Sequence, residues 1–582
     1  MGWWLAAAAW AAEPESAAAD PAAAGDVAPE TAPPAWRRSV GGHGSEVLRI
    51  RWYDSPDSLQ DRVADPILEA ELAESVLDYV EVVNRINLAG GSQAVTLSLQ
   101  LDAVTLLSNA YKLDGALVQE RDLLQPELSS FSPNALISLE KVSLEARPGP
   151  ARVVVGDGYV ALGRGLALNV VKNTDIDIDT SLLGLQGTVQ LGDWELLAAG
   201  GLTNPQQVAL ENPNFSLAAN DGHAVSALRV ARYALGPANL SAHGALFQLA
   251  DQTGLSPSHY SAPLSAASAG GAVELMGVGG FDVYLEGDGF FYQDPDIPVK
   301  QGYAVYSSIT TWRGPLSILV EGKRYKDTER INVASFTGGR YEFTAGPTLE
   351  YERVITEDSA AAVNSNNIYG GRAKVDVTLP GATLTVPSLA LGVFRDEETA
   401  ASGGLHFNQT PETILHPVAG FQWTGGPTHI LANAGYRQDI RDSDYGSDRL
   451  EHLDVAFATP ILGHELELAI NSSAFQWGKN LAGQVASAQH DFVDLSGSIT
   501  ASILEPLALV LYSDYSSNPL VTSEGNLAED FYGAVELQFR PWPSGVIKAF
   551  YGAYRAGIRC AGGQCRNLPG FDGARVTFDS TF

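Results

Sequence analysis

Cysteine is almost absent from this sequence of 582 residues, which contains only Cys560 and Cys565. No CxxC or CxxCH motif occurs, so zinc and haem sites built on paired cysteines are excluded. The two residues are close enough in sequence to form one local disulfide, a bond that persists in oxidising compartments and is rare in the cytosol. The pair therefore predicts a location in the periplasm or at the cell surface.

Long apolar runs and an excess of basic charge are also missing. No stretch of about 18 consecutive apolar residues occurs, which excludes a membrane-spanning helix on length and leaves a closed β-barrel as the way to cross a membrane. The 36 Lys and Arg residues face 68 Asp and Glu residues, giving a formal net charge of −32. Nucleic acid is therefore excluded as a partner, because it requires clustered positive charge, whereas cations or cationic solutes fit.

Catalytic motifs are lacking as well. The ten histidines are scattered and form no HExxH motif, and no GxSxG elbow is present. His452 and His464 each adjoin a glutamate, but adjacent side chains on a strand point to opposite faces. We therefore predict that the protein is not an enzyme and has no cofactor.

The amino-terminal residues have the composition of a targeting segment. Residues 1–12 form a short apolar run with an Ala-x-Ala cleavage site and are predicted to be a signal peptide. No positive charge precedes the run, a departure that a misassigned start would explain. Residues 13–44 are rich in proline and alanine and are predicted to be a flexible leader.

The remainder, residues 45–582, is predicted to be all-β. Segments of about 9 to 14 residues alternate apolar and polar positions between turn residues, as in residues 281–292, where Glu286 and Asp288 share the polar face. In residues 369–379, Arg372, Lys374 and Asp376 share it. A soluble sandwich has the same alternation, but the segment length and the aromatic residues near segment ends favour a membrane barrel. Residues 59–78 have the composition of a short helix.

The last segment of the chain has the same alternation. Phe578 and Phe582 lie on its apolar face, and Arg575 and Asp579 on its polar face. It resembles the carboxy-terminal strand that the outer-membrane barrel assembly machinery recognises, with Phe578 and Phe582 as the assembly signal. Counting the segments predicts one large antiparallel transmembrane β-barrel of about 22–24 strands with long outer loops.

One glycine-rich string is distinctive. It runs from Gly156-Asp157-Gly158-Tyr159 to Gly163-Arg164-Gly165, with Glu140-Lys141-Val142 before it and Lys172-Asn173-Thr174-Asp175 after it. Over residues 76–582 the chain thereby resembles porin-like outer-membrane proteins of Gram-negative bacteria, a family without an assigned activity. The resemblance implies a barrel fold and an outer-membrane location. Tight turns and close backbone approach are the simpler explanation of the glycines themselves.

Three alternating carboxylates are weak candidates for a metal site. On a strand, Asp175, Asp177 and Asp179 would project from one face and could bind a hard cation, whereas a solvated rim is the alternative. The segment with Asp439, Asp442, Asp444 and Asp448 is similarly acidic but lacks the ligand spacing of an EF-hand, and a solvated rim is the alternative there too.

Two functions fit the predicted barrel. The first is a porin-like channel for small polar or cationic solutes, and the second is a plugged structural barrel that anchors a secretion, polysaccharide-export or motility complex. Its expected partners are outer-membrane lipid, lipopolysaccharide and the barrel assembly machinery. For the channel, the predicted lumen-facing residues are Glu286, Asp288, Arg372, Lys374, Asp376, Arg575 and Asp579.

Overall fold

A computed structural model provides the structure of this chain. It describes residues 41–53, 79–107, 135–173, 178–205, 222–249, 265–293, 301–328, 333–334, 340–341, 368–379, 384–396, 412–441, 447–461, 464–477, 490–517, 531–554, 557–561, 564–568 and 571–582. The predicted signal peptide, residues 13–40 of the predicted leader and the helix considered for residues 59–78 lie outside these ranges.

The described residues form 31 β-strands and no helix. None of them belongs to a helix long and apolar enough to cross a membrane. The strands are β1 (Gly41–Tyr53), β2 (Tyr79–Gly91), β3 (Val95–Leu107), β4 (Ala135–Ala146), β5 (Ala151–Gly158), β6 (Val160–Leu162), β7 (Leu168–Val170), β8 (Lys172–Asn173), β9 (Ile178–Leu191), β10 (Trp194–Pro205), β11 (Ala224–Leu235), β12 (Ala238–Gln248), β13 (Ser265–Val278), β14 (Phe281–Gln293), β15 (Gln301–Arg313), β16 (Leu316–Lys326), β17 (Val333–Ala334), β18 (Arg340–Tyr341), β19 (Ile368–Val377), β20 (Leu384–Asp396), β21 (Glu412–Gly425), β22 (Thr428–Arg441), β23 (Ser447–Ile461), β24 (His464–Trp477), β25 (His490–Leu504), β26 (Leu507–Ser516), β27 (Phe531–Trp542), β28 (Gly545–Tyr554), β29 (Gly557–Ala561), β30 (Gln564–Leu568) and β31 (Phe571–Thr581).

Twenty-four of the described strands form one closed antiparallel barrel, and the two-residue strand β8, paired with β9, brings the sheet to 25 strands. The ring follows chain order, with β5 joined to β9, β16 to β19 and β28 to β31. It closes where β1 pairs with β31, from Ser45 opposite Thr581 to Tyr53 opposite Gly573. The predicted antiparallel barrel of 22–24 strands is confirmed. β1 begins at Gly41, before the predicted boundary at residue 45, because ladder hydrogen bonds need no side chains.

The two ends of the barrel differ in their connections. At one end, short turns join neighbouring strands, and left-handed glycines such as Gly314, with a φ of 59°, let the chain reverse within two residues. β1 starts and β31 ends at this end, where Gly44 and Phe582 exchange backbone hydrogen bonds of 2.7 and 2.9 Å. At the opposite end, longer segments such as residues 54–78 and 108–134 separate consecutive strands. We call these the short-turn end and the long-connection end.

The outer face of the barrel is apolar. Leu285 of β14 and Val305 of β15 are 48% and 40% exposed. Glu286, which follows Leu285 in β14 and points to the other face, is fully buried. Exposed aromatic residues lie toward both ends: Trp194, Phe281, Trp312 and Trp542 at the short-turn end, and Trp52, Tyr303, Tyr369 and Phe531 at the long-connection end.

The spacing of these aromatic residues matches a bilayer. Tyr303 and Trp312 are nine residues apart in β15, a distance of about 30 Å along a strand. At a strand tilt of about 40°, this corresponds to a height of about 23 Å, close to the apolar band of about 25 Å in membrane barrels. The outer surface therefore has the dimensions that hydrocarbon requires.

The buried charges inside the barrel are nearly balanced. Among the described residues, eight basic and seven acidic side chains are buried. Some form close pairs, such as Arg85, whose Nε lies 2.9 and 3.0 Å from the two carboxylate oxygens of Asp102. The chain-wide charge of −32 therefore does not produce an acidic set of buried residues. The set comprises Arg49, Arg51, Arg85, Lys141, Lys323, Arg372, Arg437 and Arg575, with Asp102, Glu140, Asp157, Asp179, Glu286, Asp288 and Glu536.

Candidate functional site

The candidate site is centred on residues 159–173, which we call the inward segment. The chain leaves the barrel wall after Gly158, and the strands β6 and β7 form a small hairpin. Leu162, Ala167 and Leu168 of this segment have no exposed surface. They belong to one apolar cluster with side chains of the barrel wall, so the segment lies inside the barrel. The wall residues of the cluster include Phe247, Phe290, Tyr292, Tyr306, Tyr325, Ile368 and Ile414.

Asp157 anchors the base of the inward segment. One carboxylate oxygen accepts a hydrogen bond of 2.7 Å from the Val142 backbone N–H of β4. The other accepts bonds of 2.8 Å from the Ser181 hydroxyl of β9 and 2.7 Å from the Asn204 amide of β10. A single buried side chain thus joins β5 to three other strands at the point where the segment turns inward. Charge-assisted bonds of this kind are about twice as strong as neutral ones.

A second polar cluster holds the two ends of the inward segment near the wall. Asp179 of β9 forms an ion pair with Lys141 and lies 3.1 Å from the Lys172 ammonium group. The Tyr159 hydroxyl donates a 2.6 Å hydrogen bond to the same carboxylate. Burial, followed by the negative charge of Asp179, raises the pKa of the Tyr159 phenol well above its ordinary value. The hydroxyl therefore stays protonated and remains a donor at all physiological pH values.

The tip of the inward segment reaches strand β14 near its midpoint. The Arg164 backbone N–H donates a 2.8 Å hydrogen bond to Oε2 of Glu286, the sixth of the 13 residues of β14. The Arg164 guanidinium group lies 4.1 Å from the ring centre of Tyr284 and 5.4 Å from that of Tyr306, within the range of cation–π attraction. Gly163 adopts a φ of 59°, and a Cβ atom there would overlap the Glu286 carboxylate. A side chain at this position would therefore strain the backbone and displace the Glu286 carboxylate from the tip.

A chain of polar contacts extends from the tip around the wall. The Arg164 guanidinium group lies 3.4 Å from the Tyr306 hydroxyl, which donates a 2.5 Å hydrogen bond to Glu321 of β16. Arg372 of β19 donates from Nε to the other Glu321 oxygen at 3.0 Å. Opposite charges therefore alternate over the tip and strands β14 to β19.

Beside the tip, His243, Glu286 and Asp288 form a buried cluster. The His243 Nε2 atom lies 2.8 Å from Asp288 Oδ1 and 3.9 Å from Glu286 Oε1, and all three side chains are fully buried. His243 of β12 and Asp288 of β14 are both opposite Gly270 of β13 in the strand register. Because glycine has no side chain, the imidazole and the carboxylate meet across the middle strand. Within the described part of the chain, this is the one group of three residues with the spacing of metal ligands.

The predicted lumen-facing residues do not form one site. Glu286, Asp288 and Arg372 lie around the tip, as described above. Lys374 and Asp376 form an ion pair of 3.7 Å further along β19. Arg575 lies elsewhere on the wall, with its guanidinium 3.8 Å from Glu536 and 4.9 Å from the Phe550 ring centre, and Asp579 is partly exposed on the same strand.

The other predicted sites are described only in part. Cys560 and Cys565 are directly opposite in the β29–β30 hairpin at the long-connection end, but their side chains lie outside the described residues, so the disulfide stays a prediction. Phe578 packs edge-on against Trp542, and Phe582 is exposed. Asp175 and Asp177 lie outside the described ranges. Asp179 pairs with Lys141 and Lys172. Its carboxylate is therefore already neutralised by two ammonium groups and is a poor ligand for the predicted cation site.

Sequence reasoning missed His243 and Arg164. His243 was one of ten scattered histidines, and the distance between it and Asp288 depends on the register of three strands. Gly270 and Gly271, two adjacent glycines within a strand, were the available signal of close approach between neighbours. Arg164 lay in the string whose glycines were explained by turns, and nothing local indicates that this string enters the barrel.

Comparisons with known proteins give similarity of fold alone. No family model matches the chain, and no curated protein matches it. Among solved structures, it is similar to the siderophore receptor PirA from Pseudomonas aeruginosa, with 9% identity, 94% of this chain and 81% of that chain covered, and a TM-score of 0.43. It is also similar to the outer membrane protein opdK of the same organism, with 10% identity, coverage of 71% and 98%, and a TM-score of 0.35. A copper transporter, OprC, has 9% identity, coverage of 94% and 81%, and a TM-score of 0.40. At this level, these likenesses carry no conclusion about ligand or activity.

Proposed function

We propose that the protein is a porin-like channel of a Gram-negative outer membrane, in which small polar solutes pass the charged tip of the inward segment. The observation that carries the proposal is a segment folded into a closed barrel and held at mid-strand by Arg164 and Glu286. Such a segment narrows an interior, and its charged groups contact whatever passes.

The membrane location is supported by the outer surface. Closed barrels can cross hydrocarbon because every backbone group is paired within the sheet, and this barrel closes through β1 and β31. Its exposed apolar residues and the two rows of aromatic side chains fit a bilayer with polar surfaces at both ends. We extend the proposal to contact with lipopolysaccharide at the long-connection end and to insertion by the barrel assembly machinery through the strand that contains Phe578.

The charge of the interior supports polar solutes in general. The buried charged residues are nearly balanced in the described part of the barrel, and the tip brings a guanidinium group over the rings of Tyr284 and Tyr306, whose hydroxyls donate to Glu286 and Glu321. Basic and acidic groups therefore both lie near the tip, which suits polar solutes of either charge sign. Cation selectivity would depend on acidic residues elsewhere, for instance the segment 54–78, which contains eight Asp and Glu residues and one basic residue, Arg62.

Single-channel conductance of the refolded protein in a planar bilayer tests the proposal. We expect stable conductance steps, and we expect Arg164→Ala to increase them and to shift the reversal potential toward cations, because a positive charge leaves the narrowest region. Arg313→Ala is the matched control, since Arg313 is exposed at the short-turn end of β15. Silence from a correctly folded, heat-modifiable barrel, in both the natural protein and Arg164→Ala, would refute the channel and favour a plugged barrel that anchors a larger complex.

A further inference from the structure

The cluster of His243, Glu286 and Asp288 contains buried polar atoms that its surroundings do not satisfy. Two carboxylates are fully buried beside one imidazole. Glu286 Oε1 and Asp288 Oδ2 have no hydrogen-bond partner, and neither has His243 Nδ1. Buried carboxylate oxygens are strongly unfavourable unless a donor or a cation satisfies them. A cation bound between the three side chains would satisfy the free Glu286 oxygen.

The two oxygens of Glu286 have different environments. Oε2 accepts hydrogen bonds from the Arg164 backbone N–H at 2.8 Å and the Tyr284 hydroxyl at 2.5 Å. Oε1 is turned toward His243 and accepts none. One carboxylate thus holds the tip of the inward segment with one oxygen and presents the other to the cluster.

We propose that His243 Nε2, Glu286 Oε1 and Asp288 Oδ1 bind a divalent first-row transition-metal ion, with Zn²⁺ as the best-fitting ion. One ligand atom of each of these three residues lies within 4.8 Å of the ligand atoms of the other two. Ligand atoms about 2.1 Å from zinc, at angles of about 90–110°, are about 3.0–3.4 Å apart. The distances of 2.8 and 3.9 Å lie on either side of that range, so shifts of about half an ångström would bring both into it, with the ion replacing the proton shared by His243 Nε2 and Asp288 Oδ1.

The ligand types select the class of ion. Calcium and magnesium prefer shells made of oxygen alone, whereas an imidazole nitrogen favours zinc and its first-row neighbours. Three protein ligands leave a further position for water or a solute group. Since Gly270 separates His243 from Asp288 in the register, the site also requires a residue without a side chain on β13.

A bound ion would also stabilise the inward segment. It would fix the Glu286 carboxylate, whose second oxygen holds Arg164, and groups that orient a ligand typically change metal affinity 10–100-fold. Metal binding and docking of the tip would then favour each other. This consequence for conduction rests on the proposed channel, whereas the metal site does not.

Zinc titration of the full-length protein, refolded in detergent and freed of metal, tests the site by calorimetry. We expect one Zn²⁺ per chain in the natural protein, and affinity reduced at least about 10- to 100-fold in His243→Gln and in Asp288→Asn. His223→Gln is the control, since His223 is equally buried but lies outside the cluster, and it should bind zinc as the natural protein does. Mg²⁺ and Ca²⁺ at equal concentration should not compete. Heat-modifiable migration confirms that each variant is folded.

Two results would overturn the metal site. The first is the absence of stoichiometric binding by the natural protein, which would mean that a proton shared by the carboxylates satisfies the cluster. The second is equal zinc affinity in the natural protein and in both ligand variants, which would mean that zinc binds elsewhere on the acidic surface.

Conductance with and without Zn²⁺ separates the site from the channel. We expect zinc to change the conductance of the natural protein and to leave His243→Gln unaffected. Zinc binding in a silent barrel would support the site and refute the channel. Zinc binding with unchanged conductance would support the site and overturn its coupling to the tip.

Discussion

Gly163→Ala tests whether the tip of the inward segment is held as described. Gly163 adopts a φ of 59°, and its missing side chain leaves room for the Glu286 carboxylate. Alanine would meet two penalties that act only in the docked conformation. The left-handed backbone costs about 1–2 kcal/mol with a Cβ atom, and displacement of the carboxylate breaks the bond from the Arg164 N–H.

The two penalties set the expected size of the effect. A hydrogen bond to a charged group contributes about 1.5–3 kcal/mol, so the docked tip should lose about 3 kcal/mol or more in total. Because about 1.4 kcal/mol is a tenfold change in an equilibrium constant, undocking should become at least about 100-fold more frequent. The barrel wall itself should stay intact, since the change is confined to the segment.

Hydrogen exchange measured by mass spectrometry gives the assay. Peptides from residues 159–173 should lose protection by about 100-fold in Gly163→Ala, while peptides from β14 and β15 should change little. Gly149→Ala is the matched control: Gly149 has a φ of 62° and no atom within 4 Å of a built Cβ. In Gly149→Ala, the loss of protection should correspond to the backbone penalty alone and should be confined to the turn that contains residue 149.

One outcome would refute the tip geometry. If Gly163→Ala and Gly149→Ala changed local protection equally, the backbone penalty alone would explain both changes. The contact between the tip and Glu286 would then be refuted. A further check is the double variant Gly163→Ala with Glu286→Ala. Removal of the carboxylate should make the Gly163 substitution cost only the backbone penalty of about 1–2 kcal/mol.

Three further predictions concern other parts of the barrel. Asp157→Asn should lower the free energy of unfolding by about 2 kcal/mol, because the single amide oxygen can accept either from the Val142 N–H or from Ser181 and Asn204, and the NH2 group then faces the remaining donors; urea titration in lipid vesicles measures this. Burial lowers the pKa of His223 to about 4. Between about pH 6.5 and pH 4, His223 is therefore protonated in the unfolded chain and neutral in the folded chain. Stability should fall by up to about 3 kcal/mol between pH 6.5 and pH 4, and His223→Gln should remove this dependence. Thiol titration without reductant should find neither Cys560 nor Cys565 free. Cys560→Ser should destabilise the β29–β30 hairpin by about 2 kcal/mol.

The faces of the strands could be predicted from the sequence because the pleat has a period of two. In β14, Glu286 and Asp288 alternate with Leu285 and Phe291, and the structure buries the first pair and exposes the second. The number of strands followed in the same way, since each hairpin has its own turn residues. These features depend on local pattern alone.

The candidate site depends on contacts that local pattern does not contain. Arg164 contacts Glu286 and Tyr306, which are more than 100 residues away in the chain. The apolar residues Leu162 and Leu168 are as compatible with a barrel strand as with a hairpin buried in the interior. His243 and Asp288 meet only because three strands pair in one register across Gly270. A shift of one residue in either pairing would put the two side chains on opposite faces.

The pairing of β1 with β31 has a consequence for how the molecule is made. Most wall strands pair with a partner that is close in sequence, but this pair joins Ser45 to Thr581. Until both strands are in place, the sheet has two free edges whose unpaired N–H and C=O groups can bind strands of other molecules. Loop-closure entropy makes such a distant contact late to form. Substitutions along β1 and β31 should therefore slow the last kinetic phase of folding and increase aggregation, while the hairpins of the wall form at their usual rate.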